Sequence, residues 1–242
     1  MSHHLKSLLI FIFIILSNQT LYGKDNDSKV LVVGGTGRIG SQIVKLLSEN
    51  QFDVTVMSRS TTSKRSVNEL PIHYVTGDVL IEDQVADVFR NQNYDVVINA
   101  IAKVGEDKNP HAIGQRNLNK WSKKTGVRHF ILIGSVGAGN KQSHLVTDRA
   151  WSMWKDILQQ KGIAEQSLMD SGINFTVIRT GIIIYDDTPA TGNAILSNDH
   201  NIVGLITRKD LAILTVDCIM KSKCKNKVFH ALDESLIEAH GN

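Results

Sequence analysis

The segment Val30-Leu31-Val32-Val33-Gly34-Gly35-Thr36-Gly37-Arg38-Ile39-Gly40 constrains this chain more than any other. Four apolar, mostly β-branched residues read as a buried parallel strand. They run into glycines at 34, 37 and 40, and then into apolar positions Ile39, Ile43, Val44, Leu46 and Leu47, which fall on one helical face. Strand, glycine turn and helix within one βαβ unit is the context in which such a loop holds phosphate. Gly34 permits the tight turn, Gly37 lets the backbone approach a pyrophosphate, and Gly40 lets the helix lie close to the strand. The N–H groups at the helix start, from Thr36 through Arg38 and Ile39, then face the phosphates. The loop implies a bound dinucleotide.

The rest of the chain repeats this alternation. Strands are expected at 52–57, 72–75, 95–99, 130–133, 175–178, 202–206 and 228–231. Helices are expected at 39–49, 82–90, 112–124 (ended by Gly126), 145–171 (stopped by Gly172) and 208–222 (capped by Thr207). Residues 180–201, rich in Thr, Asp, Gly and Asn, read as loops. Strands alternating with helices give a parallel sheet covered on both faces, with right-handed crossovers. The fold class is therefore α/β: a Rossmann-type doubly wound parallel sheet, one domain over 29–242 with a small C-terminal substrate-loop region. At 242 residues the chain is too short for a large independent second domain.

The N-terminus is different in kind. Leu8 to Leu16 is unbroken apolar sequence between a short polar start and Ser17-Asn18-Gln19-Thr20, with Gly23 beyond. This is the layout of a secretory signal peptide over 1–23, or of an uncleaved anchor. The apolar run is short for a bilayer span, so membrane association through residues 5–16 stands beside export, and a cytoplasmic-facing anchor is a third arrangement. Cys218 and Cys224 are placed on one helix at a spacing that points them apart, so two free thiols are expected. A net charge of +3 without a basic run argues against nucleic acid as a partner. No His or Cys spacing suggests a metal.

Cofactor choice is read at the end of the second strand, where an acid would bind ribose hydroxyls. This chain has Met57-Ser58-Arg59-Ser60. Arg59 suits a 2′-phosphate, with Ser58 or Ser60 as donors and Arg38 as a second positive charge. NADP is expected over NAD.

The Gly-x-x-Gly-x-x-Gly spacing resembles the short-chain dehydrogenase/reductase superfamily. Gly-Gly-Thr-Gly-Arg-Ile-Gly is similar to its atypical members, the NmrA-like and biliverdin reductase B-like group. Further blocks carry the resemblance in order: Gly77-Asp78-Val79, Asn99-Ala100-Ile101-Ala102, 126–135 ending in Ser135, 161–165, 171–181, and 206–212. The resemblance implies that Asp78 and Val79 border the adenine, and that Ala100 and Ile101 line the nicotinamide side. It further implies that Ser135 and Lys161 are the catalytic positions, with Lys161 also holding the nicotinamide ribose.

There is one departure. Active relatives carry Tyr-x-x-x-Lys on one helical turn, the Lys lowering the Tyr pKa for proton exchange. Lys161 matches the Lys, but the Tyr position holds Ile157. Two readings follow. The first is an NADPH-dependent oxidoreductase acting on a small organic or flavin-like acceptor, working by positioning. The second is a non-catalytic NADP-binding protein of the NmrA type whose partner is another protein. A sugar-nucleotide epimerase is a weaker third reading, because it needs the Tyr and a larger C-terminal region. His111 and His144 lie near loops that could face the nicotinamide. Asp186 and Asp187 read as solvated, and Trp121, Trp151 and Trp154 as packing residues.

Overall fold

The computed structural model describes residues 28–59, 67, 69–102, 108–139, 145–184 and 188–236. The signal-like segment, Ser60, His144 and Asp186-Asp187 lie outside the described residues.

Alternating apolar residues build the sheet. β1 (Lys29–Val33) sends Val30 and Val32 to one face and Leu31 and Val33 to the other, and all four are buried. β2 (Asp53–Ser58) and β3 (His73–Thr76) extend the sheet on one side of β1. β4 (Val96–Asn99), β5 (His129–Ser135), β6 (Phe175–Thr180) and β10 (Lys227–Leu232) extend it on the other. With β8 (Ile195–Ser197) at the edge, the order is β3-β2-β1-β4-β5-β6-β10-β8. Every pairing is parallel except β8 with β10. The order reverses between β1 and β4, and the crevice at that switch point is where open α/β sheets bind ligands.

Helices cover both faces. α1 (Gly40–Glu49) and α5 (Arg208–Met220) lie against each other on the Val30/Val32 face. α2 (Glu82–Asn91), α3 (His111–Thr125) and α4 (Asp148–Met169) cover the Leu31/Val33 face, where Phe89, Leu118, Phe130 and Leu168 fill the core. Gly126 ends α3 at φ 77°, the left-handed position expected of it.

The structure corrects three expectations. Residues 180–201 are not all loop: β7 (Ile182–Ile183) pairs with β9 (Leu205–Ile206), and β8 sits on β10. The strand expected over 202–206 shrinks to that two-residue β9. Cys218 and Cys224 form a disulfide, with Cα atoms 5.3 Å apart, and are not free. α5 stops at Met220, and Ser222–Cys224 is a separate 3₁₀ turn. The turn brings Cys224 back toward α5, within the reach a disulfide needs. Thr176 Oγ1 donates to the Cys224 carbonyl at 2.8 Å, which fixes the turn to β6. Trp121 is buried, as a packing residue should be, but Trp154 is half exposed.

Candidate functional site

The expected site residues gather at the C-terminal edge of the sheet. Gly34 N–H donates to Met57 O at 3.3 Å, Ala100 N–H to Val33 O at 2.9 Å, and Gly77 N–H to Ser58 O at 3.0 Å. These bonds tie the ends of β1, β2, β3 and β4 together. Gly34 holds φ 81°, and a Cβ there would come within 3.0 Å of the Ala100 and Ile101 backbone. Glycine is therefore required for the loop to touch the end of β4. Gly40 is tighter still, since its Cβ would lie 2.2 Å from Gly34 O. Gly37 and Arg38 stand out at the exposed crown. The N–H groups of Arg38 and Ile39 have no backbone acceptor among the described residues.

The helix ends differ in a way that favours an anion here. α1 begins at Ile39 with no side-chain cap and no acid in its first turn. α3 begins at Pro110, also without a side-chain cap from that residue and without an acid, although Asn109 Oδ1 accepts from His111 N–H at 3.2 Å. These two helices follow β1 and β4 and so flank the switch point. α2, α4 and α5 each carry acid in the first turn, and Thr147 and Thr207 cap the last two. Free N–H groups with an uncompensated dipole are what a pyrophosphate binds.

Asp78 and Val79 form a fixed turn beside this edge. Asp78 Oδ1 accepts from Leu80 N–H at 2.9 Å, and Asn117 of α3 donates to Val79 O at 2.8 Å. Arg59, just past β2, is exposed. Asn99 Oδ1 accepts from Ile101 N–H at 3.1 Å while its amide donates to Gln115 at 2.8 Å. Gln115 donates on to Asn119 at 2.7 Å, and Asn119 to Ser167 of α4 at 3.1 Å. This buried amide chain sets the Ala100-Ile101 loop against α3 and α4.

The two positions expected to be catalytic come from β5 and α4. Lys161 is half-buried and its Nζ donates to Gly134 O at 3.4 Å. Burial pushes its ammonium below the usual lysine range, and Glu165 pulls it back up. The neighbouring Ser135 hydroxyl donates to Val136 O at 3.2 Å. Ile157 occupies the turn of α4 before Lys161 and brings no proton donor. His111, the first residue of α3, is buried with Nε2 unpartnered among the described residues. Burial, and then the Lys161 charge, lower it to about 3, so it is neutral at working pH.

Sequence reasoning missed Glu165 and Arg179. They form a buried ion pair in which Arg179 Nη2 and Nε donate to Glu165 Oε2 at 2.7 and 3.0 Å. The available signal was Glu165 standing four residues after Lys161, on the same helical face. Among the described residues no group of His, Cys, Asp and Glu is arranged to hold a metal ion, and no helix is long and apolar enough to cross a membrane.

A family model described as NAD(P)H-binding matches residues 34–222, from the glycine loop through α5. A chloroplastic protein of Arabidopsis thaliana is 28% identical over 211 residues, covering 83% of this chain and 75% of its own. Sanguinarine reductase of Eschscholzia californica is 35% identical over 123 residues, covering 48% of this chain and 42% of its own. Among solved structures, the anaerobillin reductase ChuY of Escherichia coli O157:H7 shares the fold with a TM-score of 0.76 at 20% identity, over 86% of this chain and 98% of that one.

Proposed function

The chain belongs to the NAD(P)H-binding family, and from that premise we propose that it is an NADPH-dependent oxidoreductase delivering hydride to a small organic or flavin-like acceptor. The observation that carries this reading is the convergence of two sets of residues on one sheet edge: the uncapped glycine-loop helix, and the Ser135-Lys161 pair of β5 and α4. Sanguinarine reductase, similar over about half of the chain, lends the reductase class further support.

In this reading the N–H groups of α1 hold the pyrophosphate, and Asp78 and Val79 border the adenine. Ala100 and Ile101 line the nicotinamide side, and Lys161 holds the ribose. Arg59, joined by Arg38, meets a 2′-phosphate and so selects NADPH over NADH. NADPH supplies the hydride when bound, and the chain's own contribution is binding and orientation. Ser135 can donate one hydrogen bond to an acceptor oxygen. Ile157 has no proton to give, so acceptors that take their proton from water, such as quinones and flavins, suit the site better than simple ketones.

Ile157 also favours a second reading, an NmrA-type protein that binds NADP and regulates a protein partner without turnover. NADPH oxidation measured across quinones, flavins and aldehydes separates the two. The oxidoreductase reading expects steady turnover on at least one acceptor, with Arg59→Asp lowering the NADPH-to-NADH affinity ratio at least tenfold. Tight NADPH binding without turnover on any acceptor overturns it. An unchanged ratio overturns the NADP assignment.

The N-terminal segment is proposed to export or anchor the domain. The Cys218–Cys224 disulfide supports folding in an oxidising compartment.

A further inference from the structure

Gly134 is the meeting point of three charged side chains. Its carbonyl accepts from Lys161 Nζ at 3.4 Å. On β6 it is in register with Arg179. A Cβ at Gly134 would lie 2.6 Å from Glu165 Oε1 and 3.3 Å from Arg179 Cγ. Only a residue without a side chain lets the Glu165 carboxylate lie flat over β5 at this point, next to the Ser135 backbone. Glu165 is 1% exposed: Oε2 takes both contacts from Arg179, while Oε1 faces the Ser135 backbone N–H and has no side-chain partner among the described residues.

A carboxylate buried this completely, with one oxygen lacking any side-chain partner, is costly if it serves packing alone. Lys161 lies one helical turn before it, on the same face of α4. We propose that Glu165 is a positioning residue: anchored by Arg179 and seated on Gly134, its carboxylate holds the Lys161 ammonium at the mouth of the crevice beside Ser135. This rests on Lys161 being the residue that meets the cofactor ribose.

The electrostatics agree with the geometry. Burial lowers the Lys161 pKa and Glu165 opposes that fall. Burial raises the Glu165 carboxyl, and Arg179, then Lys161, oppose that rise. Among the described residues, the other titratable groups facing this cluster are His111 on α3, lowered to about 3, and His230 on β10, lowered by burial and beside Arg179. Neither histidine titrates in alkaline solution, so among the described groups of this cluster an alkaline change in cofactor binding belongs to Lys161. The sign is fixed: Lys161 loses its charge as pH rises through its pKa, and removing Glu165 moves that loss to lower pH.

The experiment reads Lys161 directly in the cofactor-free protein. Its ε-methylene resonance, assigned with a Lys161→Arg protein, is followed by NMR from pH 7 to 11, and NADPH affinity is measured over the same range. Glu165→Gln is expected to lower the Lys161 midpoint by at least about one pH unit and to weaken NADPH binding about tenfold at neutral pH. Because that variant leaves Arg179 buried without a counter-charge, Glu165→Gln/Arg179→Met is measured beside it, with circular dichroism as the folding check. The double variant removes both charges and is expected to show the same Lys161 shift. A folded variant of either kind with an unmoved Lys161 midpoint and unchanged NADPH affinity overturns the proposal. So does a Lys161→Met protein that binds NADPH as the unmodified chain does. Failure of the oxidoreductase reading looks different: wild-type protein binding NADPH and turning over no acceptor leaves the Lys161 titration as it is.

Discussion

The N-termini of α1 and α5 are built in opposite ways, although both helices lie on the same face of the sheet. α5 is closed. The Thr207 hydroxyl accepts from Asp210 N–H at 3.0 Å and donates to Asp210 Oδ2 at 2.7 Å. Asp210 also accepts from the N–H groups of Thr191 and Gly192 at 2.9 and 3.1 Å, and Thr191 Oγ1 donates to Asp233. Every component of that end faces another part of the chain, so the end serves folding: it fastens the 188–194 segment to the domain. α1 has no cap, no acid and an exposed crown at Gly37-Arg38. A helix end left open in this way costs stability unless something fills it. The difference teaches where a ligand belongs more clearly than either end does alone.

The largest break in this contrast is Gly40→Ala. Its Cβ would strike the Gly34 carbonyl at 2.2 Å and the Gly35 Cα at 2.8 Å, backbone atoms that cannot rotate away. The loop must shift or the helix must withdraw, at a cost of about 1–3 kcal/mol. NADPH affinity is expected to fall at least a hundredfold, as read by fluorescence titration, with a lower melting temperature.

The opposite helix gives the converse result. Thr207→Ala removes the α5 cap and leaves the buried Asp210 short of a donor, which costs about 1–2 kcal/mol. Thermal unfolding should register the full loss. NADPH affinity of the folded protein should stay within about twofold, because the buried Thr207 and Asp210 are satisfied within the chain. A large change in affinity would erase the distinction between the two ends.

How much of this was legible in the sequence follows the same division. The glycine loop, seven strands and the five helices are local patterns, and the structure reproduces them within a few residues. α4 is the loosest of these, because the expected 145–171 shortens to Asp148–Met169 once Thr147 supplies the cap. β7 and β8 carry two or three residues each and exist only because a distant partner pairs with them, as Ile195 does with Leu232. No local period reveals such strands. The disulfide escaped because its geometry depends on where α5 stops, and helix ends are poorly fixed by propensity. Glu165 and Arg179 escaped because their pairing joins a helix to a strand across 14 residues of sequence. Ile157 was fully legible, and the structure adds that the neutral His111 is buried near the same lysine.

The most direct test adds an acid to the open helix end. Gln42 lies in the first turn of α1, half-buried, where the unmodified chain has no acid. Gln42→Asp should stabilise the cofactor-free protein slightly, by about 0.3–1 kcal/mol through the helix dipole. The same charge should repel a bound pyrophosphate. Calorimetric titration of NADPH into both proteins at one salt concentration is the measurement. The account predicts saturable one-to-one binding to the wild type, and binding weakened at least fivefold in the variant despite an unchanged or higher melting temperature. Equal affinities in the two proteins would contradict the assignment of the α1 N-terminus as the phosphate site.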